Sequence, residues 1–425
     1  MTGGTHPRRT VFRPYALVVR APGAPLPLLA SFLGSLPISM LTLGVLLLVH
    51  TTTSSFGSAG LASGALSAGN ACGLLIQGRL IDRYGQTRVL VGTGLGCTTL
   101  LILLILAATR HAPEALVVAL AGAGGACIPA TISSMRVLWP TLVRRTDELE
   151  TAYALLAMQF HIAMITGPLV VSGLLLLAGP SVAVLAAAGL AGSSALVFAS
   201  TRASRRWRSS GVRSQPRQTA LATPGTRTLL VAGLLGGTAF GLISVAIPAT
   251  AVDHGAPAVA GVLFACVSAG ELAGGTLYGG RSWRIPRSRR LLLAQAAGAG
   301  GIVVVTIVSA AQSVALMAVL VIFGALYAPA GIAASSLLDD VAAEGALTQA
   351  YTSMVAAGLV GASLGSGFGG LLENATASWM LFAAAACAMA AAALWTVVRR
   401  HSLTRAAPAG HAACDSHAAA AEAAP

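Results

Sequence analysis

The sequence predicts an all-α polytopic membrane protein whose twelve transmembrane helices form two pseudo-symmetric six-helix halves. Mean hydropathy is +0.80 and only 9% of residues are charged, a composition that fits no soluble class. Apolar runs long enough to cross a hydrocarbon core as helices, which takes about 20 residues each, recur throughout the chain. Landmarks in the first part also return in the second, as Pro129 does at Pro329.

In order, the runs are 26–49, 56–77, 89–109, 115–138, 152–177, 181–200, 229–251, 257–279, 291–310, 313–337, 347–371 and 377–397. Within them Arg136 and Glu271 alone carry formal charge. The first run lacks a small-residue cleavage site, so it is expected to remain as an anchor. Residues 201–228 are the only long polar interruption and carry seven Arg and two Pro. They read as a linker between halves 1–200 and 229–398, with a tail at 399–425 expected to be disordered.

All 26 basic residues are Arg, giving a net charge of +13. With the N-terminus placed in the cytoplasm, 24 of them fall in cytoplasmic segments, Arg110 lies outside and Arg136 lies within a run. This asymmetry predicts that both termini are cytoplasmic. Division among six short segments argues against a nucleic-acid partner and for attraction to anionic lipid.

The two halves echo each other beyond the prolines. Ala152-Tyr153-Ala154 opens one run and Ala350-Tyr351-Thr352 its counterpart, while Gly78-Arg79 matches Gly280-Arg281. Common spacing argues for a duplicated six-helix unit, the architecture of many secondary transporters. Cys72, Cys97, Cys127, Cys266 and Cys387 lie within runs and read as small packing residues, not disulfide partners. His411, Cys414 and His417 in the tail have a metal-ligand spacing but lack a fourth ligand, so no metal or other cofactor is expected. The Asn374-Ala375-Thr376 sequon reads as accidental, because the all-Arg, Ala-rich composition looks bacterial.

The stretch GRLIDRYGQTR, residues 78–88, is densely charged for so apolar a chain. About ten residues are expected to reverse the chain there, with Gly78 and Gly85 permitting the tight backbone. Asp82 can accept from exposed helix N-terminal amides or from Arg83, Arg88 or Arg136. A plain topogenic loop would account for the arginines alone. This stretch resembles the signature between helices 2 and 3 of the major facilitator superfamily, G-x-L-x-D-R-x-G-R-K. Gln86 and Thr87 depart from it and leave Arg88 as the remaining charge. The resemblance implies a conformational latch in which Asp82 is a gating residue.

In the fifth run, AMITGPLVVSG resembles the antiporter signature of that family, with Gly167 and Pro168 matching strictly. It implies exchange, although Pro168 can equally act as a plain kink. Gly60, Gly64, Gly69 and Gly73 in the second run and Gly361, Gly365 and Gly369 in the eleventh read as close-packing faces. The resemblance implies that helices 2 and 11 and helices 5 and 8 meet across the halves. Arg136, near the end of the fourth run, reads as a structural charge that snorkels or reaches Asp82.

Two titratable groups lie at membrane depth. At 1.5 Å per residue, Glu271 and His161 each sit about 5 Å to the cytoplasmic side of the midplane. Helices 5 and 8 are neighbours in the resembled fold, so the two can form a pair or two stations of one proton path. An intramembrane acid is functional by default. The resemblance also implies a cavity lined by helices 1, 4, 7 and 10. Their polar and aromatic groups are Ser35, Ser39, Thr131, Ser134, Thr238, Phe240, Ser244 and Tyr327. So sparse and uncharged a set predicts a lipophilic or amphiphilic ligand.

With no Lys there is no phosphate-binding loop of the G-x-x-x-x-G-K-[ST] type. A membrane enzyme would need His, Asp or Glu clustered near one interface, and only scattered ones occur. The expected function is therefore secondary active transport, as proton-coupled export of a small molecule by a monomer in the bacterial inner membrane. Proton-symport uptake by the same fold is the alternative.

Overall fold

The computed structural model describes residues 13–143, 145–207, 223–281, 283–309, 314–343 and 347–403. Most of the linker and the His411, Cys414 and His417 group lie outside them. Among the described residues, twelve helices are long and apolar enough to cross a membrane. The first half contains α1 (Pro25–Thr53), α2 (Phe56–Tyr84), α3 (Gln86–Thr109), α4 in two pieces (Glu114–Ala126 and Thr131–Leu142), α5 (Thr146–Leu177) and α6 (Pro180–Ser200). The second contains α7 (Pro224–Asp253), α8 (Val259–Gly279), α9 (Arg287–Val308), α10 (Val314–Val341), α11 (Leu347–Ala375) and α12 (Trp379–Val398). A short helix, Arg13–Val19, precedes α1, and another, Arg202–Arg206, follows α6.

Local sequence explains the boundaries. Pro25, Pro180 and Pro224 stand in the first turns of α1, α6 and α7, where a missing N–H costs nothing. Ser55 caps α2 by accepting from the Ser58 amide at 3.3 Å. The reversal between α2 and α3 is far tighter than the ten residues expected. Gly78 is an ordinary helical residue of α2, and Gly85 is the single residue between the helices, at φ +84°. That value suits glycine, so Gly85 alone carries the turn.

The fourth run is not one helix. It breaks over Cys127–Ala130, around Pro129, and frees backbone groups in the bundle interior. Gln77 on α2 satisfies them. Its Nε2 donates to the carbonyls of Ala126 (3.0 Å) and Ile128 (2.9 Å), and its Oε1 accepts from the Ala130 amide (3.0 Å). The repeat-mate Pro329 sits inside a continuous α10, so the duplicated halves diverge here.

Elsewhere the duplication is visible in packing. Gly69 and Gly73 lie against the backbone of Gly122 and Ala126, and Gly125 lies against Leu66, joining α2 to α4. In the second half Gly270 and Gly274 lie against Val321 and Ala325, and Gly324 against Val267, joining α8 to α10. Gly69 and Gly270 stand 201 positions apart, as do Gly73 and Gly274. At each site a Cβ would strike a neighbouring main chain, so the helices approach more closely than any other residue allows.

Gly361 and Gly365 join α11 to the backbone of α7 at Leu234 and Thr238, and Gly369 faces Leu242 and Val245. These are contacts within one half, not the seam between halves that their spacing suggested. A glycine ladder records close approach but not which helix approaches. The seam uses Gly60 and Gly64, two of the four expected on α2, and other residues of α11. Gly60 and Gly64 of α2 meet Ser366, Gly370 and Ser363 of α11, and Gly261 of α8 meets the Pro168 carbonyl of α5. Cys97 is buried as expected, whereas Cys72 and Cys387 are exposed and so do not pack the core.

Candidate functional site

Up-and-down topology puts the α2–α3, α6–α7 and α8–α9 connections at one end of the bundle, here termed the arginine-rich end. At the opposite end the two halves are joined. Asn374, in the last turn of α11 and not in a loop, accepts from the Gly57 amide at 3.1 Å and donates to Ser55 Oγ at 3.0 Å. Ser363 Oγ donates to the Gly64 carbonyl at 2.7 Å, and Ser172 Oγ on α5 donates to the Ala258 carbonyl beside α8.

Between the halves lies a cavity of about 720 Å³. Its lining takes the middle of α1, α2, α5, α7 and α8 and the parts of α9, α10 and α11 nearer the arginine-rich end. The space therefore extends from mid-bundle toward that end, away from the hydrogen-bonded seam. Its walls are mostly apolar, with Phe160, Phe240, Phe264 and Phe323 among them.

Four of the eight sequence-derived cavity residues line it: Ser39, Phe240, Ser244 and Tyr327. Ser39 Oγ donates to the carbonyls of Leu36 (3.2 Å) and Ala163 (3.1 Å), beneath which Gly167 packs. Tyr327 stacks on Phe323 with ring centroids 5.8 Å apart. The other four are packing residues. Ser35 is fully buried and donates to Phe32 O at 2.6 Å. Thr131 packs against Gly34, Ser134 is buried, and Thr238 donates to Leu234 O at 2.9 Å under the α11 glycines. A helix-facing hydroxyl and a cavity-facing one look alike in sequence, because which side of a helix faces inward depends on its neighbours.

Glu271 and His161 both line the cavity, so it is not uncharged. No hydrogen bond or ion pair joins them among the described residues. Tyr327 on the adjacent helix is the group within electrostatic reach of Glu271. The cavity also uses Asn70, Ser268 and Gln295, on helices outside the expected four. Lone amides inside apolar runs were the available signal for Asn70, Gln295 and the structural Gln77.

At the arginine-rich end, Asp82 is exposed and makes no hydrogen bond or ion pair among the described residues. Arg83 stacks over Tyr84 at 5.2 Å, and Arg88 is exposed. Arg136 lies over Tyr153 at 4.9 Å and does not reach Asp82, because the neighbouring ring holds its guanidinium. Gln86, which departs from the family signature, is buried and donates to Ser134 O at 3.2 Å, so an interior hydrogen bond replaces a basic charge. In the second half, Arg287 pairs with Asp340 at 2.7 Å and Tyr351 Oη donates to Asp339 at 2.9 Å.

Comparison with curated proteins by sequence returned no match. Residues 28–231 match the family described as Major Facilitator Superfamily. The fold is similar to the nucleoside transporter NupG (TM-score 0.65, 14% identity, 88% of this chain and 98% of that one). It is similar to a bacterial homologue of the iron transporter ferroportin in an inward-facing state (0.68, 13%, 88% and 97%). It also resembles a bacterial homologue of the human lysosomal transporter Spinster, inward-facing and occupied (0.61, 18%, 94% and 99%). Residues 28–231 thus carry the sequence pattern of the Major Facilitator Superfamily, and the fold over nearly the whole chain is that of solved membrane transporters.

Proposed function

We propose that the chain is a secondary active transporter that exports a small lipophilic or amphiphilic molecule in exchange for protons. Both termini lie on the cytoplasmic side of a bacterial inner membrane. The cavity between the halves carries this reading, since it is sealed at one end by contacts across α2–α11 and α5–α8 and extends toward the other. Rocking the halves about such a site exchanges its access. Transporters with similar folds support the general activity, and the mostly apolar walls support the substrate class.

In this scheme Glu271 carries the coupled proton, with His161 as a second station on the facing helix. Asp82 acts when the arginine-rich end closes, and its lack of a partner among the described residues suits a structure in which that end is apart. Of the Gly167-Pro168 pair, Pro168 lies at the α5–α8 seam, where a direction-setting element belongs, and Gly167 packs against Ser39 of α1. The potential contributes about 2.3 kcal/mol per charge per 100 mV.

The test is flux of a lipophilic dye or drug into liposomes carrying the purified protein and an acidic lumen. Antiport predicts accumulation that collapses with the pH gradient. Glu271→Gln should abolish that accumulation while downhill exchange persists, and coupling undiminished in the variant would remove Glu271 from the mechanism. Accumulation from an acidic exterior instead would favour symport uptake, and transport of polar sugars but not dyes would overturn the substrate class.

A further inference from the structure

The polar groups of the cavity are unevenly matched. Its lining from α8, α9 and α10 includes Glu271, Gln295 and Tyr327. Glu271 has no hydrogen bond or ion pair among the described residues, and no arginine lines the cavity. The chain has no lysine to supply instead. Gln295 is 7% exposed, and its Oε1 is buried without a donor. This wall therefore holds a carboxylate and an amide oxygen that nothing described in the chain satisfies.

Resting on the transporter reading, we propose that the cavity binds an organic ammonium bearing N–H bonds on an aromatic or aliphatic body. Its N–H groups donate to Glu271 and, with the Gln295 amide turned toward the cavity, to Gln295 Oε1, while its apolar body lies among Phe160, Phe240, Phe264 and Phe323. A carboxylate removed from water either takes up a proton or needs a cation close by, and a charge-assisted hydrogen bond is the strong form of the latter contact. The aromatic faces add attraction for a cation. An inorganic cation fits poorly, because a hard metal ion takes six or more oxygen ligands and this wall offers one carboxylate. An anion would face Glu271 with only His161 to offset it, and a neutral alcohol would leave the carboxylate without a counter-charge. A quaternary ammonium has the charge but no donor for the amide oxygen.

The test measures binding of four probes on one tricyclic body to purified protein by calorimetry, with no gradient present. The body carries a secondary amine (desipramine), a trimethylammonium, an alcohol or a carboxylate. The expected order of affinity is amine, trimethylammonium, alcohol, carboxylate. The amine should exceed the trimethylammonium by about tenfold, as suits one hydrogen bond to a charged group. Gln295→Leu should narrow that gap and leave trimethylammonium binding unchanged, a response that a merely structural residue would not give. Glu271→Gln should bring the amine down to the alcohol. Equal binding of amine and alcohol, or of amine and trimethylammonium, overturns the proposal, as does binding of none of the four. Absence of proton-driven flux in the unmodified protein, with the amine preference intact, would instead overturn the coupling reading and leave this one standing.

Discussion

Gln77 joins two helices through three hydrogen bonds, so its removal isolates three backbone groups inside the bundle. A buried group left without its partner costs about 1–3 kcal/mol. Gln77→Leu should lower the melting temperature of the purified protein by several degrees, read by intrinsic fluorescence, and an unchanged melt would show that the break in α4 needs no such support. Asp82→Asn keeps the shape and removes the charge, so transport should fall severely while the melt and membrane insertion are retained. Full transport by that variant would sink the latch. At this scale sequence reading succeeded where chemistry is positional, as with Gly85, whose turn conformation few other residues adopt. It failed where partners are distant, because nothing near Gln77 in the chain indicates that the fourth run breaks beside it.

Glycines that look interchangeable in sequence separate by element. Gly365 abuts the Thr238 backbone within the second half, whereas Gly60 abuts Ser366 and Gly370 across the seam. Gly365→Leu should therefore damage folding of the half itself, seen as loss of monodisperse protein on size exclusion. Gly60→Leu should leave each half intact and prevent the α2–α11 end from closing, so flux should be abolished in protein that still purifies normally. Equal behaviour of the two variants would contradict the division into rigid halves. The twelve helices were legible because lipid demands long apolar runs, and the duplication because its landmarks keep their spacing. Which hydroxyls face the cavity was not legible, since Ser35 and Ser39 lie four residues apart on α1 and only Ser39 faces it.

For the molecule as a whole, closure of one end should set access at the other. Cysteines at positions 55 and 374, where the Ser55 and Asn374 side chains meet at 3.0 Å, should be joined by a short thiol-specific cross-linker. Placed in a background with the native cysteines replaced, the cross-link should stop transport and leave the cavity reactive from the arginine-rich end, and a cleavable linker should restore flux on reduction. Transport that continues through the cross-linked protein would exclude rocking about the central site.

The sealed end also sets an energy scale for the cycle. The seam hydrogen bonds described above are Asn374 with Gly57 and with Ser55, Ser363 with Gly64, and Ser172 with Ala258. At about 1 kcal/mol net each, they bias the molecule by about 4 kcal/mol. That equals the binding free energy of a ligand with a dissociation constant near 1 mM. A substrate or proton that favours the other state by this modest amount brings the two states to equal population. The seam is therefore weak enough for weakly bound cargo to turn over the transporter, and one more buried hydrogen bond there would make the resting state about fivefold harder to leave.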